Sequence, residues 1–138
     1  MKYTTMKVRR GPGNPNTQPF FAVYKTGIGL NSFMIEALGF PAREPIHVGM
    51  MTAENGRLLL HFIQDSYFDI DAKDDVYQKL KYRKNYCANG RPEGAYLCFP
   101  VGYRATMGRY PVFRFVGEKR DGERFVETDI RLEAFEVA

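Results

Sequence analysis

The sequence predicts a mainly β fold, α+β with short helices, in a single domain over residues 1–138. Three observations carry that expectation. Two stretches of alternating apolar and polar residues each meet at a dipeptide suited to a tight turn, Asn55-Gly56 and Asp121-Gly122. The capped segments with helical spacing are short. One order of elements, strand–loop–strand–helix–strand–turn–strand, occurs twice at a spacing of roughly 70 residues. With 44% hydrophobic and 26% charged residues, the 138-residue chain is neither wholly disordered, collagen-like nor a coiled coil. It is long enough to bury a core without disulfides or metal.

The elements follow in order. Met6-Lys7-Val8-Arg9-Arg10 is a strand that puts Lys7 and Arg9 on one face and Met6 and Val8 on the other. A Gly/Pro/Asn-rich loop over 11–19 connects it to a strand over 20–25. Asn31 caps a helix over 32–38, which Gly39 ends in a left-handed conformation. Phe33 with Ala37, and Met34 with Leu38, are four-apart pairs that can lie on the core. Residues 46–53 and 57–64 then form a hairpin about Asn55-Gly56. Centring the turn on that dipeptide pairs His47 with Gln64 and His61 with Met50. Ile46, Val48, Leu59 and Ile63 share one face, and Met51, Leu58, Leu60 and Phe62 the other. Both faces are apolar, so this hairpin is expected at the centre of a barrel or at a subunit interface.

An acidic connector over 65–75 carries Asp65, Asp69, Asp71, Asp74 and Asp75. Residues 76–86 fit two periods. A helix would align Ala72, Val76 and Leu80 behind an Asp71 cap; a strand would put Val76, Leu80, Tyr82 and Tyr86 on one face and Lys79, Lys81, Arg83 and Asn85 on the other. The strand is preferred because Leu80-Lys81-Tyr82-Arg83-Lys84 repeats the pattern of residues 6–10. A loop over 87–94, a strand over 95–99 and a second short helix over 100–107, with Pro100 in its first turn, follow. The second hairpin, 111–118 with 124–132, turns at Asp121-Gly122. Its register pairs Phe113 with Ile130 and Phe115 with Thr128 on a core face that includes Val126. Arg114 meets Asp129, and Val116 meets Glu127, on a solvated face. The chain thus reads as pseudo-repeats 1–64 and 76–132 joined by the connector.

Each half resembles the swapped-hairpin unit of the AbrB/MazE family, in which a glycine-containing strand leads into a short helix, a glycine-ended turn and a final hairpin. The matching residues of the first half are Lys25-Thr26-Gly27-Ile28-Gly29-Leu30-Asn31, Ala37-Leu38-Gly39, Ile46-His47-Val48 and Gly56-Arg57-Leu58-Leu59-Leu60. Those of the second are Leu97-Cys98-Phe99-Pro100, Gly108 and Phe113-Arg114-Phe115. Phe99-Pro100 matches the family's hydrophobic–proline pair where the helix opens; the first half has Leu30-Asn31 there. Pro41-Ala42-Arg43-Glu44-Pro45 stands in place of the family's Pro-Gly-Asp. The resemblance implies two tandem swapped-hairpin-like units forming one barrel, supplied by one chain as in the fused MraZ-like members. It also implies DNA contact through the first strands and their loops. The matching positions are Lys7, Arg9 and Arg10, and Lys81, Arg83 and Lys84.

Charge points the same way. Residues 1–64 hold seven Lys/Arg against three Asp/Glu, whereas acids and bases balance over the remainder. A basic block favours a polyanion or an acidic protein surface. The expectation is a small cytoplasmic DNA-binding protein, transcription-regulatory in role, that grips phosphates through paired basic strands. The alternative is a non-enzymatic protein-interaction module on the same barrel, with a homodimer formed through the first hairpin.

Other chemistry finds little support. His47, His61, Cys87 and Cys98 lack the short paired spacings of zinc sites, and the two histidines read as partly buried strand residues. Asp69-Ile70-Asp71 begins like an EF-hand loop, but Asp74 and Leu80 stand where its glycine and bidentate glutamate belong. There is no Gly-x-Ser-x-Gly elbow, P-loop ending or dinucleotide fingerprint, so neither an enzyme nor a cofactor is expected. Tyr77, Tyr82 and Tyr86 interleave with Lys79, Lys81, Arg83 and Lys84, a composition suited to stacking single-stranded bases. On a strand, though, those tyrosines and most of the cations point to opposite faces. No apolar run approaches the ~20 residues of a membrane span, and no signal-peptide core follows Met1. Two cysteines make no disulfide framework.

Overall fold

The computed structural model describes residues 18–41, 44–69, 76–85 and 90–136. Its strands are β1 (Phe21–Val23), β2 (Gly27–Asn31), β3 (Ile46–Thr52), β4 (Arg57–Gln64), β5 (Tyr77–Lys79), β6 (Lys81–Tyr82), β7 (Gly94–Cys98), β8 (Tyr103–Arg104), β9 (Gly108–Tyr110), β10 (Phe113–Arg120), β11 (Glu123–Arg131) and β12 (Glu133–Ala134). Helix α1 spans Ser32–Leu38, and Asp65–Tyr67 makes one 3-10 turn. The protein is mainly β, as its turn signals and alternation predict.

Two five-stranded antiparallel sheets run β6-β7-β2-β1-β9 and β10-β11-β4-β3-β5, and β12-β8 forms a small ribbon. Their inward residues make one core. The first sheet contributes Phe21, Ile28, Leu30 and Leu97; the second contributes Val48, Leu60, Phe62, Val126 and Ile130; α1 adds Met34, Ile35 and Leu38. Leu58, Leu60 and Phe62 are fully buried, and β4 lies at the centre of its sheet.

The expected barrel is not observed: no sheet among the described residues closes on itself. At both edges the chain passes from one sheet to the other without a continuous backbone ladder, and at one of them the Gln78 side chain of β5 also bonds the Cys98 amide and carbonyl of β7 (2.9 and 2.8 Å). Strand β5 passes into β6 through Leu80 alone, whose amide donates to the Ile46 carbonyl (2.8 Å) while Lys81 already pairs with Tyr96 of the other sheet. Strand β9 passes into β10 through Pro111-Val112, where proline has no amide hydrogen to extend a ladder. Strands that switch sheets at corners hold two layers together without closing a cylinder.

Helix α1 forms as predicted. Asn31 Oδ1 accepts from the Met34 amide at 2.9 Å, and Gly39 ends the helix at φ 73°. The second predicted helix does not form. Residues 100–107 make a turn at Val101-Gly102, then strand β8 and extended chain. Gly102, at φ 85°, stands where a helix interior was expected, and glycine there is costly. The described part of 76–86 is extended, as the strand period predicts.

Both hairpins turn where expected, but the first slips by one residue. The Gly56 amide donates to the Ala53 carbonyl (2.9 Å) and the Ala53 amide to the Arg57 carbonyl (2.8 Å), so Glu54-Asn55-Gly56 is a three-residue loop. Gly56 takes the left-handed position of such a loop at φ 82°. The pairs become His47 with Ile63 and Gly49 with His61, so Ile46 and Val48 join Leu58, Leu60 and Phe62 on the core face. In the second hairpin Arg120 pairs with Glu123, as centring on Asp121-Gly122 requires. A bulge between Val116 and Arg120 then shifts the far end by two residues, pairing Phe113 with Thr128 and Arg114 with Glu127. An even shift changes partners but keeps each side chain on its face.

The central position of β4 gives a first prediction. Leu60→Ala should lower stability by about 2–5 kcal/mol, since it leaves a cavity in a fully packed core. Met51→Ala, at an exposed position of the same hairpin, should stay within about 0.5 kcal/mol of the parent. A urea titration checks both: Leu60→Ala should move the midpoint with its slope unchanged, and equal midpoints for the two variants would contradict the assignment.

Candidate nucleic-acid interface

Cross-strand partners in a sheet share a face, so the registers assign the outer surface of the first sheet directly. One row crosses all five strands: Lys81 pairs with Tyr96, Tyr96 with Gly29, Gly29 with Ala22, and Ala22 with Arg109. The neighbouring row, Tyr82–Ala95–Leu30–Phe21–Tyr110, turns inward. The outer row therefore has a cation at each end, one tyrosine, and small residues between.

The small residues make room for rings. A Cβ on Gly29 would lie 2.8 Å from Tyr24 Cε2, and one on Gly27 would collide with the Leu97 carbonyl and the Tyr96 hydroxyl. Tyr24 and Tyr96 thus lie over two glycines of β2, with ring centroids 6.4 Å apart and planes tilted by 34°. The Tyr96 hydroxyl is held 2.6 Å from Thr26 Oγ1. Beside them runs an open groove of about 740 Å³, with Arg83 at one rim and Arg109 at the other. The Arg109 guanidinium sits 5.1 Å from the centroid of Phe20. Glu93 is the carboxylate that lines the groove. Among the described residues, none of Lys81, Arg83, Lys84 and Arg109 enters an ion pair.

Of the six positions matched to DNA contact, Lys81, Arg83 and Lys84 are exposed on and just beyond the edge strand β6. Lys7, Arg9 and Arg10 lie outside the described residues. Two of the interleaved tyrosines do not join the cations: Tyr82 turns inward and its hydroxyl donates to the Glu44 carbonyl (2.9 Å), while Tyr77 belongs to the other sheet. Tyr86 lies outside the described residues. Tyr24, Tyr96 and Arg109 escaped the sequence reading. Tyr96 did carry a signal, since it alternates with Ala95 and Leu97 and so must face away from the core.

The outer face of the second sheet holds the two histidines, and here the one-residue slip matters. The row Val116–Phe125–His61–Gly49–Tyr77 crosses all five strands, and His47 lies diagonal to His61 on the same face. The sequence-based register put the two imidazoles on opposite faces. Because Gly49 has no side chain, the Tyr77 ring lies across it and its hydroxyl reaches His61 Nδ1 at 2.6 Å. Glu123 accepts from His61 Nε2–H at 3.0 Å, so the imidazole bridges a carboxylate and the Tyr77 phenol. Phe125 stacks on His61 at 4.0 Å, and Phe68 stacks on His47 at 3.8 Å. His47 Nε2 meets Asp65 Oδ1 at 2.6 Å. Both histidines are more deeply buried than the partial burial expected, and both nitrogens of His61 and Nε2 of His47 have partners. Among the described residues no group of three or more His, Cys, Asp or Glu is placed to hold a metal ion, and no helix is long and apolar enough to cross a membrane.

Burial, and then the negative charge of Glu123, hold the Tyr77 phenol above its usual pKa. An unfolded phenol loses its proton first, so above pH ~10 the native state binds more protons and stability falls as pH rises. Tyr77→Phe removes that slope along with the hydrogen bond to His61. Thermal melts should show the variant less stable at neutral pH, with the gap narrowing above pH ~10; a constant gap would contradict the assignment.

No protein-family model matches the chain, and no curated protein or solved structure is significantly similar to it.

Proposed function

We propose that the chain is a non-enzymatic DNA-binding protein whose outer first-sheet face contacts phosphates. The observation that carries this reading is the row from Lys81 to Arg109, which puts positive charge on both edge strands and none of the sheet's bulky apolar core residues between them. Four inter-strand steps separate those edges, about 19 Å at ~4.8 Å per step. Cations without carboxylate partners among the described residues are available to replace the counterions of a polyanion. Basic strands at two sides of a binding face were the sequence expectation. One of them, over 80–84, includes β6; the other, over 6–10, lies outside the described residues, and in this reading Arg109 of β9 serves at the far edge.

A second reading, a protein-interaction module, draws on the edge strand β10 and the residue before it. Val112 and Phe115 there are 57% and 47% exposed, and an apolar, unpaired edge invites another chain.

A salt titration of DNA binding separates the two. Lys81→Ala/Arg83→Ala/Arg109→Ala should weaken binding across all sequences. It should also flatten the dependence of log affinity on log salt by roughly one unit per lost phosphate contact. Its melting temperature should stay near that of the parent, because exposed charges contribute little to stability. Equal affinity and slope in both proteins would remove the DNA reading and leave the β10 edge as the contact surface.

A further inference from the structure

We infer that the groove on the first sheet takes a single DNA strand rather than a duplex, with bases stacked on Tyr24 and Tyr96. This rests on the DNA-binding reading above and specifies the form of the ligand. A duplex presents phosphates outward and keeps its base faces stacked inside, so it would use the rim cations and leave the tyrosines idle. A single strand offers both features at once: phosphates for cations, and ring faces for aromatic side chains.

The groove is arranged for that combination. Tyr24 is 46% exposed although it sits beside a fully formed sheet. Its position is fixed, since its amide donates to the Gly27 carbonyl (2.8 Å) and its ring covers Gly29. Tyr96 is fixed by Thr26 and covers Gly27. Rings held in place before binding lose little conformational freedom when a base arrives. Lys81 and Arg83 flank the Tyr96 side and Arg109 the opposite edge. Ala22, Gly29 and Gly94 line the groove between the cations, with the Tyr24 ring over Gly29 and the Arg83 side chain against Gly94. Interleaved tyrosines and cations were expected on the strand over 76–86. The structure makes the combination from three strands and a turn instead, which sets rings and charges on one face.

The test measures anisotropy of a labelled oligothymidine and of a mixed-sequence duplex of the same length, at matched salt. The parent should bind the single strand at least about tenfold more tightly than the duplex. Tyr24→Ala should weaken single-strand binding by roughly five- to a hundredfold and leave duplex binding unchanged. Tyr24→Leu, which keeps an apolar cover over Gly29 without a π face, should lose as much, and it stands in if Tyr24→Ala fails to fold. Tyr96→Phe keeps the ring and should retain binding. Photo-crosslinking of 5-iodouracil oligonucleotides should label Tyr24 or Tyr96. Duplex binding as tight as single-strand binding, or parent-like binding by a folded Tyr24 variant, would overturn the inference. So would single-stranded RNA bound tenfold more tightly than DNA. The DNA reading fails separately, if the triple cation variant binds both forms as the parent does or if the parent binds neither.

Discussion

Both outer faces of this protein depend on one steric bargain: glycine on a strand, tyrosine on its neighbour or in the adjoining turn. Gly27 and Gly29 of β2 lie under Tyr96 and Tyr24, and Gly49 of β3 lies under Tyr77. Glycine in a strand ordinarily weakens it, by entropy and by the missing side chain. A neighbouring ring that covers the bare backbone restores packing. It also lies along the sheet instead of standing away from it. On the first sheet this leaves a shallow floor between basic edges. On the second it lets a tyrosine reach past its own partner to a buried imidazole. The same device thus produces an open, charged surface in one place and a closed, hydrogen-bonded one in the other.

The difference between the two faces lies in what covers them. Asp65 and Phe68 close over His47, and the aromatic ring of Phe125 stacks on His61, so the second face is packed with its own side chains. The two imidazoles there are buried and bonded to polar partners. The first face has no such cover among the described residues, and its cations stand without carboxylate partners. Unpaired charge beside exposed rings contributes little to a fold. The first face is thus open among the described residues, whereas the second is filled by the protein's own side chains.

The sequence disclosed elements better than their neighbours. The cap at Asn31, the end at Gly39 and both turn dipeptides were legible because local chemistry decides them. The strand over 76–86 was legible only through its likeness to residues 6–10. Register was harder. Asn55-Gly56 suits a two-residue turn, yet the chain uses three residues, and that single step moved His61 to the face of His47. The helix expected over 100–107 failed because Gly102 breaks the pattern. The closed barrel rested on the two apolar faces of the first hairpin and on a family resemblance, and no local signal in the sequence distinguishes a closed sheet from two sheets joined at corners. Of the candidate site, Lys81 and Arg83 stood out by charge alternation and, with Lys84, by the likeness to residues 6–10. Tyr24 and Arg109 were not, because strands remote in sequence bring them together and no spacing along the chain records that meeting.

The corner at Leu80 ties the two faces to one short piece of chain. Tyr77 leans on His61 across the second sheet, and Lys81, four residues on, marks the edge of the first. Leu80 between them is buried and pinned by its amide to Ile46. A displacement of the backbone at Leu80 would therefore carry Tyr77 away from its histidine and Lys81 away from the first sheet together.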